Sequence, residues 1–227
     1  MSITIAYLHT SHVLIPLFTE ISKRQLPAVD QFHMVDESLI RNTIRTNGLT
    51  KTTIRRVLAM IQSAREGGAD AVVVTCSSIG PAVRVGRNLF DFPVIRVDEA
   101  MAEVAVRSGR RIGVAATLRT TLEPTVALLR EKAVADHRDV DVVESLCEEA
   151  FQAVVAGDTR THDRLVSDSV LRLMADVDVV VLAQASMARV VEGLSTAAGR
   201  VPILSSPELA VGRARALLFP ESIGGVH

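Results

Sequence analysis

The sequence predicts an α/β protein with parallel sheets built from two related halves, and three observations lead there. Short Val/Ile-rich runs, of the kind buried on both faces of a sheet, alternate with amphipathic stretches of helical length. Aromatic residues make up only 3% of the 227 residues, with no Trp, which suits packed α/β layers better than a β-sandwich. The chain also matches itself at an offset of about 108 residues.

Taken in order, Ile3–Leu8 is the first strand. It starts too early, and Met1-Ser-Ile-Thr-Ile is too poor in charge, for a signal peptide. Gln31–Val35 is the second strand, followed by a helix over 51–67. Ala71–Thr75, almost pure Val, is a strand buried on both faces and leads into a helix over 79–88. Val94–Val97 precedes a helix over 98–108. Ile112–Ala116 leads into 120–134, and Val140–Val143 into amphipathic stretches over 148–156 and 161–175. Val179–Leu182 precedes a helix over 186–197, and Ile203–Leu204 one over 207–218. Such alternation means right-handed βαβ units.

The repeat is specific. Asp70-Ala-Val-Val-Val-Thr-Cys-Ser-Ser-Ile79 falls on Asp178-Val-Val-Val-Leu-Ala-Gln-Ala-Ser-Met187, and Phe92-Pro-Val-Ile95 on Val201-Pro-Ile-Leu204. Ile5–Thr10 falls on Ile112–Thr117, Pro16 meets Pro124, and Glu99 meets Glu208. Any two βα units resemble one another, but matched segments in one order at nearly one offset favour duplication. The expected domains are 1–97 with 205–227, and 98–204. No Gly/Pro/Ser-rich linker separates them, so they should pack closely.

Several function classes are excluded. Lys+Arg number 25 against 26 Asp+Glu, and no basic block occurs, so no nucleic-acid partner is expected. No apolar run approaches the roughly 18 residues of a membrane span. Two cysteines make neither a disulfide framework nor a metal-type pair, and no His/Asp/Glu/Cys cluster has metal spacing, so a reduced, cytoplasmic protein without a metal is expected. The phosphate-binding G-x-x-x-x-G-K-[ST], a strand-anchored G-x-G-x-x-G and the G-x-S-x-G elbow are all missing.

Ligands of parallel sheets gather at the carboxyl ends of strands, where helix N-termini point outward. The residues there are His9, Thr10, Ser11 and His12; Cys76, Ser77 and Ser78; Thr117, Thr120 and Thr121; Gln184, Ala185 and Ser186; and Ser205 and Ser206. Ser and Thr are also ordinary helix caps. Cys76 stands out, because a thiol before a helix N-terminus is expected to have a lowered pKa; the alternative is an inert buried cysteine. Cys147 reads as a small apolar residue beside a helix. His162-Asp163 reads either as an acid–base pair or as two first-turn residues behind a Thr161 cap. Glu99 and Glu208 read as first-turn acids favoured by the helix dipole.

The motifs Val-Val-Val-Thr-Cys-Ser-Ser and Val-Val-Val-Leu-Ala-Gln-Ala-Ser-Met, with Ile-Ala-Tyr-Leu-His-Thr, Asp36-Glu-Ser-Leu, Ala156-Gly-Asp and Ser206-Pro-Glu-Leu-Ala, resemble the aspartate/glutamate/hydantoin racemase superfamily. The resemblance implies two pseudo-symmetric Rossmann-like (flavodoxin-like) domains with an interdomain cleft. It implies cofactor-independent chemistry on a carbon acid beside a carboxylate, and a homo-oligomer. In such racemases two cysteines, one per half, face opposite sides of the substrate carbon. Here the first matches Cys76, whereas the second falls on Gln184.

A racemase or isomerase using Cys76 as thiolate base is therefore the first expectation. A second acid would come from His9, His162 or Ser186, and a small carboxylate would be held by His9, Thr10, Ser77, Ser78, Thr117, Ala185 and Ser186. A single-thiol decarboxylase or lyase, or a non-catalytic carboxylate-binding protein, is the alternative. The scarcity of aromatic residues leans toward small aliphatic acids.

Overall fold

The computed structural model describes residues 2–194 and 201–220. Two four-stranded, all-parallel sheets form its frame. The first contains β1 (Thr4–His9), β2 (Asp30–Val35), β3 (Ala71–Val74) and β4 (Val94–Arg96) in the order β2-β1-β3-β4. The second contains β5 (Arg111–Ala116), β6 (Asp141–Leu146), β7 (Val179–Leu182) and β8 (Ile203–Leu204) in the order β6-β5-β7-β8.

The duplication extends to register. Ile5 pairs with Ala71 and Val72 with Val94, as Ile112 pairs with Val179 and Val180 with Ile203. Asp70 accepts from the backbone N–H of Thr4, and Asp178 does the same for Arg111. The central strands β3 and β7 are wholly buried, which explains their unbroken Val-rich sequences.

The helices are α1 (Ile15–Gln25), α2 (Glu37–Arg45), α3 (Lys51–Glu66), α4 (Pro81–Arg87), α5 (Glu99–Ser108), α6 (Arg119–Ala135), α7 (Glu148–Val155), α8 (Thr159–Met174), α9 (Ala188–Leu194) and α10 (Ser206–Leu218). The first two have no counterpart in the sequence reading. In α2 only Leu39 and Thr43 are buried, and its Asn and Thr are weak helix formers. Helix α1 begins at Ile15-Pro16, where the proline biases its predecessor away from helix and masks the start. The expected helix end at 197 and the terminal His227 lie outside the described residues.

Two helices tie the halves together. Helix α5 follows the first sheet but joins the hydrophobic cluster of the second through Met101, Ala102, Ala105 and Val106. Helix α10 follows the second sheet but packs through Ala210, Val211 and Ala214 against the first. Their opening acids act alike. Glu99 receives Lys132 of α6 at 2.8 Å, while Glu208 receives Arg24 of α1, the residue equivalent to Lys132. Among the described residues, no helix is long and apolar enough to cross a membrane.

Candidate active site

In each sheet the two central strands run parallel, β1 beside β3 and β5 beside β7, and each delivers one residue just past its end. Strand β1 delivers Thr10, β3 Cys76, β5 Thr117 and β7 Gln184. Cys76 (φ −122°, ψ 118°) and Gln184 (φ −123°, ψ 132°) share one backbone conformation, and each opens a three-residue 3-10 turn. Each is anchored by the threonine after the neighbouring strand. Thr10 stands near enough to Cys76 to favour its thiolate and pull the thiol pKa down. Thr117 donates to Gln184 Oε1 from its backbone N–H at 2.6 Å and from its hydroxyl at 3.0 Å.

Each turn is also covered by the opposite half. Ser78 Oγ meets Thr121 Oγ1 of α6 at 2.8 Å, joining the Cys76 turn to the second half. Conversely, Ala185 packs in the first-half cluster beside Leu14 and Phe18. Two hydroxyls beside this junction, Ser77 Oγ and Thr120 Oγ1, are buried without a hydrogen-bond partner. A buried hydroxyl in that state suits a ligand oxygen. Ser186 lies exposed at the rim.

Burial of Cys76 pushes its thiol pKa up, and this outweighs hydrogen bonds from Thr10, the Ser78 and Ile79 backbone and the Ser78 hydroxyl, which pull it down. The direction is opposite to the sequence expectation. The helix-terminus argument is sound for an exposed thiol, but here the turn is enclosed and desolvation dominates. At rest the group is a neutral thiol held by donors that would receive a thiolate once formed.

His9 does not face the cleft as expected. It is 0% exposed, and both ring nitrogens are engaged, Nδ1 with Thr75 Oγ1 at 2.8 Å and Nε2 with His33 Nδ1 at 2.9 Å. His33 Nε2 in turn meets Thr19 Oγ1 at 3.0 Å. Thr75 gives its own proton to the Leu8 carbonyl, so it accepts from His9, and the chain runs Thr19→His33→His9→Thr75→Leu8. Burial, with His33 as a second cause, lowers the His9 pKa to about 4, so the ring is neutral and structural.

His162 is buried at the start of α8. Its Nδ1 lies 2.7 Å from Asp163 Oδ1, which also receives Arg189 at 2.8 Å. The cap of this helix is Asp158, accepting from Thr161 N, rather than Thr161 itself. Arg189, two residues after Met187 at the end of the Gln184 turn, thus links that turn to the His162–Asp163 pair. Cys147 points its sulfur at the Leu165 carbonyl, 3.9 Å away, and packs among apolar residues of the second half.

The sequence reading passed over His33, which looks like any mid-strand residue until register sets it beside Tyr7. It also passed over Arg96, whose guanidinium makes two bonds to buried Asp98 and a third to the Pro124 carbonyl under the Cys76 turn. Among the described residues no group of three His, Cys, Asp or Glu side chains is placed to hold a metal. The surface groove between Leu26–Val29 and α10 contains none of these residues.

Residues 9–214 match the family described as Asp/Glu/Hydantoin racemase. The fold is similar to that of an allantoin racemase from Klebsiella pneumoniae, with a TM-score of 0.72 at 19% identity over 96% of this chain and 88% of that one. It is similar to glutamate racemase RacE1 from Bacillus anthracis, with a TM-score of 0.74 at 20% identity over 99% and 85%. An aspartate racemase from Picrophilus torridus gives 0.72 at 13% identity over 94% and 93%. No curated protein matches the chain.

Proposed function

The chain belongs to the Asp/Glu/hydantoin racemase family, and on that premise we propose that it is a cofactor-independent enzyme with one thiol, moving a proton at a carbon beside a carboxylate. The observation that carries this reading is the pair of equivalent strand ends, one holding Cys76 and the other Gln184. Cys76 as thiolate takes the proton. The C–H bond breaks, S–H forms, and the electron pair moves toward the adjacent carboxylate oxygens. Thr10, Ser77, Ser78 and Thr117, with the orphaned Thr120 hydroxyl, surround the substrate's oxygens. Carboxamides lack the basicity to complete a two-base inversion. Return of the proton from the same face therefore gives exchange with retention.

Two free cysteines and a thiol-dependent reaction fit a reducing, cytoplasmic compartment. The test is solvent exchange in deuterium oxide over a panel of amino acids, hydantoins and substituted malonates. Deuterium incorporation lost in Cys76→Ala is the expected result; exchange that survives in Cys76→Ala sinks the reading.

Decarboxylation is the second reading, favoured by the neutral resting thiol. After carbon dioxide leaves, a thiol donates its proton directly to the carbanion. The pH profile separates the two. A thiolate base gives a rate rising with pH through an apparent pKa above the ordinary thiol range, because the Cys76 pKa is raised. A thiol acid gives a rate that is flat and then falls there.

A further inference from the structure

The following rests on the reading that Cys76 moves the proton. Gln184 Oε1 is committed to the Thr117 backbone N–H and hydroxyl. A backbone N–H can only donate, so the atom facing Thr117 must be the oxygen, and the orientation of the carboxamide is fixed by chemistry. Its Nε2 group is thereby turned the other way, and it donates to no acceptor among the described residues. The side chain is only partly buried, at the end of a strand equivalent to the one that carries Cys76. The turn beneath it is closed and packed: Met187 N donates to the Gln184 carbonyl at 3.0 Å, and Ala185 and Met187 are both buried.

We propose that Gln184 is an oxyanion donor, its anchored carboxamide presenting N–H to the substrate oxygen that gains charge when Cys76 takes the proton. A fixed donor aimed where charge develops needs no reorganisation during the reaction, which is what makes such groups effective. Bonds already made by Thr117 polarise the amide and strengthen its donors. The arrangement also selects a substrate class. A pair of N–H donors gives an ammonium group nothing to bond, so the substrate turns an oxygen, of a carboxylate or carbonyl, toward Gln184. The two halves thus divide the labour: one carries the proton, the other the charge.

The test compares binding of two probes, the preformed nitronate of 3-nitropropionate, which mimics a carboxylate-bearing carbanion, and succinate, its uncharged-carbon counterpart. Wild type is expected to prefer the nitronate. Gln184→Leu is expected to weaken nitronate binding about 10- to 100-fold, the range for a hydrogen bond to a charged acceptor, and succinate binding less than about threefold. Gln184→Glu keeps the size and removes the donors, so it should reject the nitronate even if the Leu variant folds poorly.

Equal weakening of both probes, unchanged nitronate binding, or no wild-type preference for the nitronate each overturns the proposal. Deuterium exchange in Cys76→Ala is run alongside. Exchange lost there while Gln184→Leu binds the nitronate normally removes only Gln184. Exchange retained there removes the Cys76 reading itself.

Discussion

Beneath the two equivalent turns the halves differ sharply. Under Cys76 lies the buried polar chain of Thr75, His9, His33 and Thr19, with Tyr7 bonded to Ser22 beside it. At the positions matching Thr75, His9 and Tyr7 the second half has Ala183, Ala116 and Val114, all buried and apolar. Backbone, register and sheet order are nonetheless the same. Apolar patterning in the strands is enough to repeat the frame, while the chemistry at the strand ends is free to diverge. The half that keeps the thiol also keeps a neutral hydrogen-bonded network, which locks the ends of β1 and β3 on either side of Thr10 and Cys76. The half that carries an amide manages with alanines.

The largest effect should come from the turns themselves. Cys76→Ala is expected to lower deuterium exchange by at least about 1,000-fold, because the proposed proton carrier is gone. Gln184→Ala should cost about 10- to 100-fold, since it removes charge stabilisation and leaves the base. Both proteins should stay folded, with stability changes of about 1–2 kcal/mol by denaturant titration. Losses of equal size would break the division between base and donor and make Gln184 an equal partner in proton transfer. Gln184→Cys sharpens the same contrast: a second thiol opposite Cys76 should add inversion to exchange.

Much of this contrast was legible in the sequence. Seven of the eight strands follow from Val/Ile-rich runs, β2 being the exception with a single Val, and the offset of the repeat sets Gln184 opposite Cys76 in the sequence itself. What stayed hidden depends on contacts between distant residues. The His9–His33 pair needs the β1–β2 register, because Tyr7 opposite His33 is 26 residues away in the chain. The upward shift of the Cys76 pKa needs knowledge of enclosure, and the packing of Ala185 on the first half needs the angle between halves. Helix α2 was missed because it is short and built partly of weak helix formers, Asn42 and Thr43, with only two side chains buried.

Acid should unbalance the halves by a smaller amount. The His9 pKa is lowered by burial to about 4 against an ordinary 6.5, so the unfolded chain binds a proton that the folded one refuses. The contribution is fully present above pH 6.5 and is lost as pH falls toward 4, about 3 kcal/mol in all. His33, also lowered by burial, faces His9, and Tyr7 flanks both rings.

Glu99 acts at lower pH. Burial alone would raise its pKa, but hydrogen bonds and charge from Arg87 and Lys132 overcome this and hold it at about 2. Its contribution is present above the ordinary carboxylate value of 4.5 and is lost as pH falls toward 2. Stability measured by denaturant against pH should therefore fall in two stages. His9→Ala should flatten the first, and Glu99→Gln the second. A His9→Ala protein that keeps the full slope between pH 6.5 and 4 would show that the polar chain does not set the acid limit of the first half.

The finest contrast is a single methyl group. Gly80 follows the Cys76 turn, and a Cβ there would lie 2.4 Å from Arg96 Nε. Arg96 cannot easily move aside, because it is held by the fully buried Asp98 and the Pro124 carbonyl. Ala188 follows the Gln184 turn at the equivalent place, and the residue matching Arg96 is Ser205, small enough to leave room. Gly80→Ala should therefore cost about 2 kcal/mol by disturbing a buried ion pair, whereas Ala188→Gly should cost only the usual backbone entropy, about 0.5–1 kcal/mol. In a double-mutant cycle Gly80→Ala and Arg96→Ala should couple by about 1 kcal/mol or more, because removing the guanidinium frees space for the methyl group. Purely additive effects would mean that Arg96 swings away freely. The glycine would then answer to the bend of the turn, and Arg96 would have no part in holding Cys76 in place.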